Sequence, residues 1–124
     1  MSNQILIVDD NRKDREKLKV MFECVNYDVN ITSSAAYAIA RIVQGNRPIV
    51  IIGESFEEEI EPSMIVALMK KCSVDLKIIL ISDTSSLDDL TKLRKEGIFY
   101  HSLKPVTEED NEEIKLAVQY AISH

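Results

Sequence analysis

IVIIGESFEEE, residues 49–59, opens as four consecutive β-branched residues and closes in a run of acids. A strand with one wet face alternates apolar and polar positions, whereas Ile49, Val50, Ile51 and Ile52 leave no position for water. Such a run suits a strand covered on both faces, the ordinary situation of a parallel sheet between layers of helices. Four other short runs have strand character: Ile5–Val8, Tyr27–Ile31, Ile78–Ile81 and Phe99–Leu103. Each of the five is followed by a segment with helical rhythm.

Between the first two runs, Leu18, Met21, Phe22 and Val25 recur at i, i+3, i+4, i+7, one face of a helix. The next segment offers Ala36, Ile39, Ala40 and Val43, with Gly45 as its stop. A third helix opens near Pro62, a residue suited to a first turn, and presents Ile65, Leu68, Met69 and Cys72. A fourth starts at Ser85 with Asp88 three residues on and runs to Gly97. The fifth repeats that capping signal as Thr107 and Asp110, then shows Ile114, Ala117, Val118, Ala121 and Ile122. Strict alternation of strand and helix implies right-handed crossovers and a parallel sheet. The expected architecture is one three-layer α/β domain over residues 1–124, a doubly wound (βα)5.

Composition agrees and excludes several function classes. The 124 residues are 45% hydrophobic and 29% charged, with 21 acids against 15 lysines and arginines and a formal net charge of −6. That balance opposes binding to nucleic acid or to an anionic membrane surface. No apolar run approaches the ~20 residues of a membrane span. The N-terminus lacks the basic region of a signal peptide, so a cytoplasmic location is expected. Cys24 and Cys72 stand apart, outside any metal-ligand spacing, and read as reduced core thiols.

In open parallel sheets the functional crevice lies outside the carboxyl ends of the strands. There the chain places Asp9 and Asp10 after strand one, Glu54 after strand three, Ser82 and Asp83 after strand four, and Lys104 and Pro105 after strand five. Two carboxylates ~4 Å apart repel by roughly 4 kcal/mol at an effective dielectric of about 20. Such a cluster needs a cation, a proton or the lysine to hold it together. Oxygen ligands select a hard ion, Mg²⁺ or Ca²⁺. A hard cation, a lysine charge and a hydroxyl donor suit a phosphoryl group.

These residues resemble a known family. ILIVDDN (5–11), RPIVIIGE (47–54), IILIS (78–82) and LKP (103–105) match the receiver domain of bacterial two-component response regulators over essentially the whole chain. The resemblance implies a flavodoxin-like fold with strand order 2-1-3-4-5, an order that the general rule for open sheets itself illustrates with a receiver. It implies that Asp10 ligates Mg²⁺ directly and Asp9 through water, with a backbone carbonyl near Phe56 completing the protein's share. Glu54 holds the phosphoacceptor position. Lys104 is expected to pair with the acceptor carboxylate and with incoming phosphoryl oxygens, and the Ser82 hydroxyl to move toward the phosphoryl group. His101 falls where the family keeps a Tyr or Phe that swings inward on activation.

Three departures qualify the resemblance. The family forms its acyl phosphate on aspartate, and no aspartate occurs between Asp28 and Asp75. The extra methylene of Glu54 shifts its carboxylate by ~1.3–1.5 Å, and a misplacement of about 1 Å can cost on the order of a hundredfold in rate. It also carries negative charge toward the place of a phosphoryl group on aspartate, which makes Glu54 a partial mimic of the phosphorylated state. Asp83 stands where the family usually has a small residue and adds repulsion toward a phosphodonor. The loop SFEEEIEP (55–62) replaces the family's Met-Pro and Asp-Gly turn, and its acids read as a solvated loop.

The expectation is an atypical, phosphorylation-independent receiver and not an enzyme, with Mg²⁺ bound weakly or not at all through Asp9, Asp10 and Glu54. It should act through protein contacts with a sensor kinase or an output protein, using the face of helix four, strand five and helix five. Asp88, Lys92, Lys95 and Glu112 give that face mixed charge, and a weak homodimer there is compatible with it. The first alternative is a working phosphorelay receiver. A small Mg²⁺-dependent phosphatase-like hydrolase is the distant one, since such enzymes generally separate their two acids by one residue and Asp9 and Asp10 are adjacent. No output domain is visible in the sequence.

Overall fold

Five strands and five helices alternate along the chain in the computed structural model, which describes residues 3–82, 87–105 and 107–123. They are β1 (Gln4–Val8), α1 (Arg12–Glu23), β2 (Asp28–Thr32), α2 (Ala35–Val43), β3 (Ile49–Ile52), α3 (Pro62–Cys72), β4 (Ile78–Ser82), α4 (Leu87–Glu96), β5 (Tyr100–Leu103) and α5 (Glu108–Ser123). The strands form one parallel sheet in the order β2-β1-β3-β4-β5. The expected doubly wound architecture and strand order are both found.

The sheet has two dry faces because strand side chains alternate between them. Leu6, Val8, Val50, Ile52, Ile78 and Leu80 face α2, α3 and α4, where Ala38, Ile42, Ile65, Met69 and Leu93 close over them. Ile5, Ile7, Ile49, Ile51, Ile79 and Ile81 face α1 and α5, meeting Leu18, Phe22, Ile114 and Val118. Ile49–Ile52 therefore supplies both cores at once, which is why it tolerates no polar position.

Local signals set most of the helix ends. The Asn11 side chain accepts the Asp14 N–H at 3.0 Å, and Ser34 Oγ accepts the Tyr37 N–H at 3.1 Å. Thr107 and Asp110 form a reciprocal box, each backbone N–H donating to the other's side chain at 3.0 and 3.2 Å. Pro62 sits at the start of α3. Gly45 follows α2 with φ of +99°, a conformation that favours glycine. The Ser85–Asp88 capping signal lies outside the described side chains.

Helix phase is where the sequence reading needs correction. α2 buries Ala35, Ala38 and Ile42, while Ala36 and Ala40 are exposed and Val43 is 66% exposed. AAYAIARIV is apolar nearly all round, so periodicity alone leaves its inward face undetermined. In α3, Val66 is buried beside Ile65 and Met69, and Leu68 and Cys72 are exposed. Val25 lies past the end of α1, exposed in the turn that Asn26 makes at φ of +69°. Both cysteines are free thiols on the surface and not in the core. Cys24 caps α1 and Cys72 ends α3, where the chain turns out of the packed layer. Among the described residues, no helix is long and apolar enough to cross a membrane.

Candidate functional site

β1 delivers its two acids to different environments. Asp9 is buried at the strand's end, and its Oδ1 accepts the Asn11 N–H at 3.0 Å. Asp10 is exposed, and its N–H donates to the Ser55 carbonyl at 2.8 Å, tying the β1 exit to the loop after β3. Arg15 Nη1 reaches back from α1 to the carbonyls of both, at 2.8 and 3.1 Å. The Asp9 carboxylate lies directly over Gly53: a Cβ on that glycine would fall 2.3 Å from Oδ2. Burial raises the Asp9 pKa; the Asn11 N–H opposes this, Asp14 adds to it, and Lys104 and Arg15 oppose it.

On the α1 side, Lys104 Nζ stands 3.0 Å from Asp14 Oδ2, with both side chains about a quarter exposed. Lys17 Nζ donates to the Pro105 carbonyl at 3.0 Å, a second tie between α1 and the segment after β5. Asp9, Asp14, Lys17, Lys104 and Pro105 share a small depression floored by Leu18 and Ile81. Asp14 was not anticipated from the sequence. The signal was present: Asp14 lies four residues before Leu18, so the inward stripe of α1 begins with a carboxylate.

On the β4–β5 side, Ser82 is buried and its Oγ lies 2.8 Å from His101 Nε2. The pair bridges neighbouring strands, since His101 registers with Leu80 and Leu103 with Ser82. Burial and then the Arg94 guanidinium lower the His101 pKa, while Glu54 pulls it the other way. That direction favours the neutral imidazole, which can accept from or donate to the hydroxyl.

The acids after β3 are not merely solvated. Glu58 reaches the start of α2, accepting from the Ala35 N–H at 2.7 Å, the Ser34 hydroxyl at 2.7 Å and the Ala36 N–H at 3.0 Å. These bonds hold its pKa at about 2. Glu57 accepts from Ser33 Oγ at 2.9 Å, and its N–H donates to the Ser33 carbonyl at 2.8 Å. The loop is pinned to the β2–α2 corner. Its charge sits where a helix N-terminus favours it.

Asp9, Asp10, Glu54, Ser82, His101 and Lys104 thus all collect at the carboxyl edge of the sheet. Lys104 lines the depression with Asp9 and Asp14, whereas Glu54 and Asp10 line a separate cleft with residues 55–62. Among the described residues, no three His, Cys, Asp or Glu side chains are placed to hold a metal ion. The oxygen chemistry of Asp9, Asp10 and Glu54 suits a hard cation such as Mg²⁺. Asp83 lies outside the described residues.

Comparison with solved structures adds the architecture's relatives. A response regulator receiver domain protein from Clostridium thermocellum matches with a TM-score of 0.85 and 23% identity, over 99% of this chain and 95% of that one. A CheY-like receiver domain protein from Methanospirillum hungatei JF-1 gives 0.84 and 22%, over 99% and 98%. The beryllofluoride-activated NtrC4 receiver domain dimer gives 0.81 and 22%, over 96% and 98%. No sequence family model and no curated protein sequence matches the chain. With identities of 22–23%, what these matches carry is architecture: this chain has the fold of a response regulator receiver domain.

Proposed function

We propose that this chain is a receiver module of two-component signalling that works in the cytoplasm through protein contacts and without phosphorylation. The observation that carries the reading is the placement of Lys104. Its ammonium is engaged by Asp14 at 3.0 Å in a depression that Glu54 does not line. A phosphoryl group arriving on Glu54 needs that charge beside it. That ammonium already serves Asp14, so its charge is shared, and this adds to the misplacement from the longer side chain. His101 and Ser82 are already bonded to each other, which favours a fixed surface over a switched one. The contact face in this reading is α4, β5 and α5, toward a sensor kinase or an output protein, with no catalytic turnover.

Two measurements test the reading. Incubation with a small phosphodonor and Mg²⁺ is expected to leave the intact mass unchanged. A stable gain of one phosphoryl group, lost in Glu54→Gln, would establish a working phosphorelay receiver instead. Mg²⁺ is expected to bind at millimolar strength or weaker, roughly 4 kcal/mol or less. A ligand at a hundred times its dissociation constant stabilises by about 2.7 kcal/mol. A melting temperature that rises several degrees at ~1 mM Mg²⁺ and no longer does so in Asp10→Asn would contradict weak binding.

A further inference from the structure

A groove between α3 and α4 lies on the far side of the sheet from α1 and is not part of the site above. Its floor is apolar: Met64, Ala67 and Leu68 recur at i, i+3, i+4 on the outer face of α3, with Met64 58% and Leu68 40% exposed. Lys71, Lys92 and Lys95 also line it, in a chain whose acids outnumber its bases. Lys71 and Lys95 belong to the last turns of their helices. α3 and α4 both return over the same face of a parallel sheet, so those last turns lie at the same end. The groove is therefore basic at one end, where Glu96 is outnumbered, and ends in Glu61 at the other.

The same molecule carries the complementary ridge. α5 exposes Leu116 and Tyr120 one turn apart. Its acids are confined to its first half, Glu108 through Glu113, and its second half has none. Glu113 is engaged by the Tyr100 hydroxyl, while Glu108, Glu109 and Glu112 are exposed ahead of the apolar pair, Glu112 with Lys115 beside it at 3.3 Å on the surface.

We propose that copies of this chain associate head to tail, α5 of one copy seated antiparallel in the α3–α4 groove of the next. Leu116 and Tyr120 cover Met64 and Leu68, and Glu109 and Glu112 meet the three lysines. Glu61 then faces the acid-free half of α5. Antiparallel seating also sets the negative carboxyl ends of α3 and α4 beside the positive amino end of α5. The net charge of −6 on each copy opposes approach, but salt at physiological strength screens charges beyond ~8 Å, while contacts across the groove fall within that range. One short helix in one groove is a small interface, so the association is weak and transient. The two surfaces are different, so the contact does not close as a two-fold dimer.

Sedimentation velocity of the whole chain from ~20 µM to ~1 mM tests this, as the weak-binding range requires. The weight-average mass is expected to rise with concentration. K92E/K95E and E109K/E112K, all at exposed positions, should each remain monomeric, and an equimolar mixture of the two should associate again. A wild-type chain that stays monomeric at ~1 mM would overturn the proposal and leave the groove to an acidic helix of another protein. Variants that still associate, or whose mixture does not, would overturn it as well.

Discussion

Gly53 and Asp9 are fitted to each other at atomic scale. The residue before Glu54 has no side chain, and the Asp9 carboxylate occupies the space a Cβ would take. Gly53→Ala must therefore displace a buried carboxylate that is bonded to the Asn11 N–H. A loss of about 1–3 kcal/mol is expected, the usual range for overpacking. The same substitution in an Asp9→Ala background should cost much less. Urea denaturation of the four-protein cycle measures the coupling, and additive losses would separate the two residues. Lys104 and Asp14 illustrate the opposite case. Both are partly exposed, so Asp14→Asn should change stability by less than about 1 kcal/mol even though it removes one ion pair.

Among the elements, α2 has a start that depends on a distant loop. Glu58 bonds two backbone N–H groups and the Ser34 hydroxyl there, a share of the donors that every helix leaves open. Glu58→Gln should cost about 1 kcal/mol at pH 7, comparable to losing a capping residue. The sign with pH follows from a folded pKa of about 2 against an ordinary 4.5. The folded state holds this proton less tightly, so the charged bond stabilises the fold above pH 4.5 and its contribution disappears as pH falls toward 2. Wild type and Glu58→Gln should thus converge in melting temperature across that interval. A gap that persists at pH 2 would mean that charge is not what Glu58 supplies. The same tie explains how EEE can follow a buried strand: the run closes the β3–α3 crossover onto its neighbour.

The whole molecule is one sheet between two apolar layers, and β3 is its central strand. Ile51 is 1% exposed among α1 and α5 residues, and Ile52 is fully buried on the opposite face. Ile51→Ala should cost about 2–5 kcal/mol, a large share of the 5–15 kcal/mol that holds a typical domain. The urea midpoint should fall with an unchanged slope, since the two layers share this strand and unfold together. A second transition would show that the layers are separable.

The strand order came from the resemblance to receiver domains, while periodicity and punctuation in the sequence determined the five βα units, the parallel sheet and the edge where Asp9, Asp10, Glu54, Ser82 and Lys104 gather. Those features follow from local chemistry: β-branched runs, Asn11, Ser34 and Thr107 at helix starts, Pro62 and Gly45 at helix bounds. The inward phase of α2 was not legible, because AAYAIARIV offers apolar residues in every direction and only burial of Ala35, Ala38 and Ile42 in the core selects one. Nor was the choice of partners at the edge. Lys104 stands 90 residues from Asp14 and 50 from Glu54, and chain separation says nothing about which carboxylate its ammonium meets. That was decided by the tertiary structure, where the start of α1 meets the segment after β5 and brings Asp14 to Lys104, and β4 and β5 lie side by side and bring Ser82 to His101.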